Sequence, residues 1–308
     1  MSADLLAGLP IVDAHHHLWR LDAVHYPWLM ERGAKRFFGD PTPIQRDYRA
    51  EDLRADAAGL ILRGSVHIQV GAAPGQEIAE TDWLEAEAAR AGLPDAIVAF
   101  CDLAAADAPR VLKAQAARPL VRGIRQIVGR SAEEDRRTGS GALLADPAWR
   151  DNLRRVAALG LSFDLQATPW QLADCAAVLA ALPELKVALV HCGSPWGFPW
   201  RDDPASALLW RDGIGRLAAL PNVHAKISGL AMFRHGWTAD DIRPVIEAMV
   251  AAFGPDRLMV GSNFPVDGLH KPYRAVMEGY ADILAGLLGR PALPPLFADN
   301  AARFYRLG

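Results

Sequence analysis

Three consecutive histidines, His15, His16 and His17, follow a short apolar run near the N-terminus. If residues 10–14 form a strand, side chains alternate between its two faces, so His15 and His17 point the same way and His16 points away. Two neutral imidazoles on one side of a strand end are a natural pair of ligands for zinc or another divalent metal. The alternative is a histidine cluster on a surface turn, but the preceding apolar run favours the metal pair.

A third candidate ligand, His191, ends another apolar run, at residues 187–190. Together with His15 and His17 it can hold a divalent metal and leave coordination positions open for water and substrate. Such a metal lowers the pKa of its bound water to roughly 7 and polarises a carbonyl oxygen. The alternative for His191 is a packed histidine beside Cys192.

Polar side chains also occur at or just after the ends of other predicted strands. They are His67, Gln69, Arg125, Gln126, Asp164, Gln166, Lys226, Ser228, Asn263 and Asp267. In a barrel of parallel strands these ends meet at one rim, where active sites lie. The pattern therefore predicts a single polar pocket assembled from distant parts of the chain.

Three of the candidate substrate-binding residues have two interpretations each. Arg125 either pairs with a substrate carboxylate or hydroxyl in the pocket, or serves a structural acid. His67 is either a donor to a substrate oxygen or a satisfied core histidine. Trp19, like Trp28, either lines the substrate wall or packs in the core.

The bulk composition excludes several classes of protein. The chain has 308 residues, 51% of them hydrophobic, so a large core is expected and disorder is not. The net charge of −3, without a block of Lys or Arg, argues against nucleic acid or membrane as a partner. Three widely spaced cysteines and no signal-like N-terminus indicate a cytoplasmic protein that acts on a small molecule. The oligomeric state stays open, a homodimer being one option.

Eight predicted strands alternate with helical segments, which implies a parallel sheet. The predicted strands cover residues 10–14, 64–70, 96–101, 120–127, 162–166, 186–192, 223–228 and 257–261. The predicted helices cover residues 54–58, 77–91, 108–117, 146–159, 169–182, 204–220, 238–253, 273–288 and 296–305. Eight such units are the count of a (β/α)8 TIM barrel, here a single domain over residues 1–308. An open doubly wound sheet is the alternative, but no glycine-rich phosphate-binding motif follows the first strand.

Several stretches resemble one family of proteins. They are Ile-Val-Asp-Ala-His-His-His-Leu-Trp at 11–19, Val-Arg-Gly-Ile-Arg-Gln at 121–126, His-Cys-Gly-Ser-Pro at 191–195, Lys-Ile-Ser-Gly-Leu at 226–230 and Arg-Leu-Met-Val-Gly-Ser-Asn-Phe-Pro at 257–265. The chain resembles the amidohydrolase-related TIM-barrel hydrolases, in particular their sugar-lactone and pyrone-dicarboxylate lactonase branch. The resemblance implies that His15 and His17 are a metal pair, that His191 binds metal or substrate, and that Arg125 contacts a substrate carboxylate or hydroxyl.

The chain departs from this family pattern at the eighth strand, where Asn263 replaces an aspartate that ligates metal and acts as general base. An amide cannot accept a proton at neutral pH and is a weaker ligand than a carboxylate. A divalent metal, zinc being the first choice, is therefore expected to be weakly bound or absent. Asp267 and His67 are candidate substitute bases.

Three functions follow from these observations. The first is a hydrolase that opens a small sugar lactone or carboxylated lactone with activated water, using His15, His17, His191, Asn263 and Asp267. The preference for a lactone rests on the resemblance alone. The alternative on the same barrel is a metal-dependent decarboxylase of a small aromatic or unsaturated acid, and the third is a protein that binds a ligand without catalysis.

Overall fold

The computed structural model describes residues 4–33, 35–131, 133, 135–136, 140–201 and 203–308. Eight strands form one sheet in sequential order, and each pairs in parallel with the next. They are β1 (Pro10–His16), β2 (Ile61–Ile68), β3 (Ala96–Ala99), β4 (Val121–Ile127), β5 (Ser162–Gln166), β6 (Val187–Leu189), β7 (Val223–Ile227) and β8 (Leu258–Val260). The predicted TIM barrel is confirmed.

The segment after β8 nearly closes the barrel by bonding to the end of β1. The backbone N–H of Asn263 donates to the carbonyl of His15 at 2.7 Å, and that of His17 donates to the carbonyl of Phe264 at 2.8 Å. These two bonds hold the histidine segment and the Asn263 segment side by side, although nearly 250 residues separate them.

Helices lie between the strands, as the alternation predicts. They are α1 (Pro27–Met30), α2 (Ala50–Asp56), α3 (Glu77–Ala91), α4 (Ala108–Ala116), α5 (Pro147–Ala158), α6 (Leu172–Ala180), α7 (Pro204–Ala218), α8 (Leu230–Phe233), α9 (Ala239–Phe253), α10 (Tyr273–Leu288) and α11 (Asn300–Tyr305). Helix α2 begins four residues earlier than predicted, because Asp52 accepts a bond from the backbone N–H of Arg49 and caps its first turn. Within the described residues, no helix has the length and apolar character to cross a membrane.

The barrel interior is apolar towards its amino-terminal end and polar above. Phe304 and Tyr305 of α11 pack with interior strand residues such as Val66 and Ile68 and fill the lower end. Above them the Lys226 ammonium donates to Asp164 at 2.6 Å and to the Ala14 carbonyl at 2.7 Å. The Tyr305 hydroxyl also donates to Asp164.

Both members of the Lys226–Asp164 ion pair are completely buried. Burial lowers the pKa of Lys226. A buried pair whose remaining hydrogen-bonding sites are satisfied gives a rigid polar layer. This layer forms the floor on which the histidine cluster rests.

Candidate active site

A cavity of about 260 Å³ lies at the carboxyl ends of the strands. The strand ends contribute His17, Gln69, Arg125, Gln166, His191 and Asn263 to its lining. The long loop between β1 and α2 contributes Trp28, Arg36, Phe37 and Phe38. The structure thus brings four of the predicted site residues, His17, Arg125, His191 and Asn263, to one cavity.

The histidine triplet is divided as the alternation predicts. The ring centroid of His15 lies 5.2 Å from that of His17 and 4.4 Å from that of His191. His16 faces away and has its ring 6.1 Å from that of His67. Burial, the largest cause, lowers the pKa of His15 well below its usual value and that of His17 to about 3, so both rings are neutral.

The hydrogen bonds of His17 fix which of its ring nitrogens carries the proton. Nδ1 lies 2.7 Å from the Ile68 carbonyl, which can only accept, so Nδ1 donates and Nε2 keeps a lone pair. Nε2 lies 3.3 Å from Oδ1 of Asn263. The amide of Asn263 is oriented by Asp267, whose Oδ1 accepts from Nδ2 at 2.7 Å. Two acceptors, Nε2 and Oδ1, therefore face each other with no hydrogen between them.

This pair of acceptors fits a divalent cation. Ligands of a tetrahedral zinc ion lie roughly 3.4 Å apart, close to the separation of His17 Nε2 and Asn263 Oδ1. Both ring nitrogens of His15 are buried without a hydrogen-bond partner among the described residues and offer a further ligand. The residues that could hold such an ion are therefore two imidazoles and one amide oxygen, a weaker set than one containing a carboxylate.

The predicted set of His15, His17 and His191 is not formed as such. Among the described residues, no three His, Cys, Asp or Glu side chains are arranged to hold a metal ion. After β8 an amide rather than a carboxylate stands beside His17, so no acidic ligand joins the histidines there.

His191 and Asn263 both lie on backbone in the left-handed region, with φ of 52° and 58°. This conformation is rare for residues other than glycine and is costly unless the surrounding structure enforces it. It ends β6 at Leu189, three residues before the predicted end, and turns the following segment across the top of the barrel. Strain at these two positions is typical of a site whose side chains must be aimed at a ligand.

Asp267, a predicted base, lies behind Asn263 and does not line the cavity. It is completely buried and also accepts from the backbone N–H of Ala231 at 3.2 Å. Burial raises the pKa of Asp267 to about 7. Its direct contact is with the Asn263 amide, so the geometry gives it a positioning role.

Arg125 is buried at the cavity wall, only 5% exposed, with no carboxylate partner among the described residues. Its guanidinium donates to the Gln69 carbonyl at 3.3 Å and to Oε1 of Gln166, while its Nε has no partner in the described part of the chain. Burial lowers the pKa of Arg125 to about 9. The described residues that line the cavity include three arginines and no Asp or Glu. Because Arg36 is paired with Glu31 at 2.8 Å, Arg125 is the lining cation best placed to bind an anion in the cavity.

Glu80 is one of the acids near Arg125, but among the contacts of the described residues it makes no hydrogen bond or ion pair with the guanidinium. It is completely buried and accepts from the backbone N–H of Val70 at 3.0 Å. Burial raises the pKa of Glu80 from 4.5 to about 7, so its charge is largely suppressed below neutral pH. The other acid, Asp164, is already bonded to Lys226 and Tyr305.

Glu80→Gln should flatten the pH dependence of stability. Because the folded-state pKa of Glu80 is raised to about 7, the unfolded chain releases this proton first, and stability is lost as the pH rises from about 4.5 to 7. Gln does not titrate and can still accept from Val70. We expect urea unfolding to show that, between pH 4.5 and 7.5, the free energy of unfolding falls by about 2 to 3 kcal/mol more in the wild type than in the variant. An equal fall in the free energy of unfolding in both proteins would contradict the raised pKa of Glu80.

His67 and Trp19, predicted as substrate contacts, do not line the cavity. Since Val66 and Ile68 point into the barrel, His67 lies on the outer face of β2, where its Nδ1 accepts from the Leu18 backbone N–H at 3.0 Å. Trp19 is completely buried, and its indole N–H donates to the Arg46 carbonyl at 2.6 Å. The geometry therefore favours the core interpretation of both residues. Trp28 lines the cavity instead, edge-on to Trp19 with centroids 5.9 Å apart.

Gln69 and Gln166, predicted as pocket residues from their positions at strand ends, hold Arg125. The cavity also contains two loop arginines that were not predicted, Arg36, which pairs with Glu31 at 2.8 Å, and Arg130. The position of the two glutamines at strand ends was a usable signal. Nothing in the loop sequences indicates which side chains turn inward.

Comparisons with known proteins agree with this architecture. The family model described as amidohydrolase matches residues 12–307. The chain belongs to the amidohydrolase family. A protein of Sinorhizobium fredii named y4mH is 36% identical over 303 residues, which are 98% of this chain and all of that protein. An L-fucono-1,5-lactonase of Burkholderia multivorans is 30% identical and is aligned over 96% of both chains.

A solved structure of an amidohydrolase from Burkholderia multivorans shares the fold. It superposes with a TM-score of 0.79 at 27% identity, covering 97% of this chain and 99% of that one. That structure was determined with zinc bound. The family and this neighbour are consistent with the use of a divalent metal.

Proposed function

We propose that this amidohydrolase opens a small lactone that carries a carboxylate, by attack of water on the ring carbonyl at the top of the barrel. Relatives named as lactonases support the reaction type. The observation that supports a carboxylated substrate is the state of Arg125. It is a buried cation without a carboxylate partner among the described residues, in a cavity whose described lining lacks acids. A substrate carboxylate would supply the missing counter-charge.

The size and lining of the cavity suit a compact ring. Its volume of about 260 Å³ is below that of pockets for drug-sized ligands, which begin at roughly 300 Å³. Trp28 and Phe38 stand edge to face, 5.9 Å apart, and form an apolar wall on which a flat ring can pack. Arg125 would hold the carboxylate at the base, which fixes the orientation of the lactone carbonyl.

The polar groups at the rim would each have a defined task. Without a bound metal, the lone pair of His17 Nε2 would accept a hydrogen bond from the attacking water, and Asp267 would keep Asn263 Oδ1 turned toward the same point. With a metal bound, the same lone pair would be a ligand instead. His15, His17 and Asn263 would hold a divalent metal, zinc being the first choice. Such an ion, when bound, would polarise a carbonyl and make water more acidic.

Assays on a panel of substrates test this proposal. The panel comprises carboxylated five- and six-membered lactones, neutral sugar lactones including L-fucono-1,5-lactone, and aromatic acids. With zinc supplied, we expect acid release from a carboxylated lactone, with kcat/KM at least about 10-fold above that of the neutral lactones. Faster turnover of a neutral sugar lactone would contradict the substrate class. Release of carbon dioxide without acidification would contradict the reaction and indicate a decarboxylase. His17→Gln serves as the inactive control.

A further inference from the structure

Ser228, which follows β7, holds His191 through two contacts to one oxygen. The Ser228 Oγ lies 3.1 Å from His191 Nδ1 and 3.3 Å from the His191 backbone nitrogen. Ser228 is completely buried and His191 is 1% exposed. A serine that meets both the ring and the backbone of one histidine restricts how that ring can rotate and where its proton lies.

The direction of these hydrogen bonds determines the tautomer of His191. The backbone N–H of His191 can only donate, so Ser228 Oγ accepts from it. The Oγ could accept a second bond from Nδ1–H, but its own hydrogen would then lack an acceptor, because Nδ1 of His191 is the acceptor that the described residues place within reach. With Oγ–H donating to Nδ1, the neutral ring carries its own hydrogen on Nε2.

The surroundings support a neutral ring in this orientation. Burial, the largest cause, lowers the pKa of His191 well below its usual value. Gly229, with φ of 67°, passes so close that an added Cβ would lie 2.3 Å from Nδ1. The ring is thus clamped between Ser228 and Gly229, and its free edge lies in the cavity lining.

We propose that Ser228 is a positioning residue that fixes His191 as an N–H donor to the substrate, and that His191 is therefore not a metal ligand. His17 has the opposite tautomer, since its Nδ1 donates to a carbonyl and its Nε2 keeps a lone pair. The two histidines therefore have different roles at the cavity. His17 accepts or ligates, while His191 donates to the carbonyl oxygen of the lactone as negative charge develops there. The substrate half of this statement rests on the proposed function, whereas the tautomer does not.

Nitrogen NMR of the protein labelled with 15N in its imidazole rings tests the tautomer directly. Comparison with His191→Gln assigns the resonances. We expect the signals of a ring protonated at Nε2 in the wild type, and a changed tautomer distribution in Ser228→Ala. A proton on Nδ1 in the wild type, or an unchanged His191 spectrum in Ser228→Ala, would overturn the proposal. This result does not depend on any substrate.

Zinc binding separates the two histidines. The zinc affinity, measured by competition with a chromophoric chelator, should stay within about 2-fold of the wild type in His191→Gln and fall by at least about 10-fold in His17→Gln. Loss of zinc affinity in His191→Gln to the level of His17→Gln would show that His191 is a ligand and would overturn the assignment.

Kinetics on the lactone found by the panel test the role in catalysis. Ser228→Ala should lower kcat by roughly 10- to 100-fold and change KM by less than about 3-fold. Ser65→Ala is the matched control, because it also removes a buried hydroxyl, but one that has no hydrogen-bond partner among the described residues, and it should leave both constants unchanged. A rise in KM with unchanged kcat would overturn the donor role. If the wild type opens no lactone, the proposed function fails, while the NMR and zinc results still decide the tautomer.

Discussion

Arg125→Met should lower kcat/KM for a carboxylated lactone by about 10³-fold while making the substrate-free protein more stable. Removing one partner of a buried charged hydrogen-bonded pair costs about 2 to 5 kcal/mol of binding, and 4 kcal/mol corresponds to about 10³-fold. In the free protein Arg125 has no carboxylate partner among the described residues, so its buried charge is a cost that methionine removes. We expect a gain of about 1 to 3 kcal/mol in the free energy of unfolding.

Steady-state kinetics and urea unfolding on the same preparations measure both effects. Arg122→Met is the matched control, because Arg122 lies on the same strand but on its outer side and donates to the Pro119 carbonyl. It should change kcat/KM by less than about 3-fold. If Arg125→Met instead destabilises the protein and affects carboxylated and neutral lactones equally, Arg125 has a structural role.

The barrel was predictable because its signal is repeated eight times along the chain. Each short apolar run followed by a helical pattern points to a parallel strand and a covering helix, and errors at individual ends do not change the count. The predicted end of β6 was wrong because His191 and Cys192 adopt left-handed backbone conformations that their residue types do not predict. The predicted start of β2 at residue 64 missed Ile61 and Leu62, of which Ile61 is half exposed.

The site was predictable only in part, because both faces of a barrel strand are buried. Alternation separates His67 from Val66 and Ile68, but an apolar pattern alone does not tell which face turns inward. The prediction that His15 and His17 lie on one side and His16 on the other is confirmed, because the triplet itself shows its alternation. Trp19 and Trp28 could not be distinguished, since they lie on either side of a turn in a long loop whose path depends on tertiary contacts.

Exchanging the two residues at β8, in the double variant Asn263→Asp/Asp267→Asn, should tighten zinc binding by on the order of 10- to 100-fold. The exchange keeps the bond between the two side chains, since an amide at 267 can donate to a carboxylate at 263 and still accept from the Ala231 N–H. It places a carboxylate oxygen beside the lone pair of His17 Nε2, where the wild type offers only an amide oxygen. Competition with a chromophoric chelator measures the affinity.

The single variant Asn263→Asp tests why the chain has an amide at position 263 beside the carboxylate of Asp267. Its carboxylate would meet that of Asp267 at the 2.7 Å distance now occupied by an amide hydrogen bond, so the two must share a proton. We expect this variant to unfold at lower urea concentration without metal than the double variant does, and to recover with zinc. His17→Gln introduced into the double variant should abolish the gain in affinity. If the double variant binds zinc no more tightly than the wild type, Asn263 does not face the metal, and the paired acceptors at His17 serve water alone.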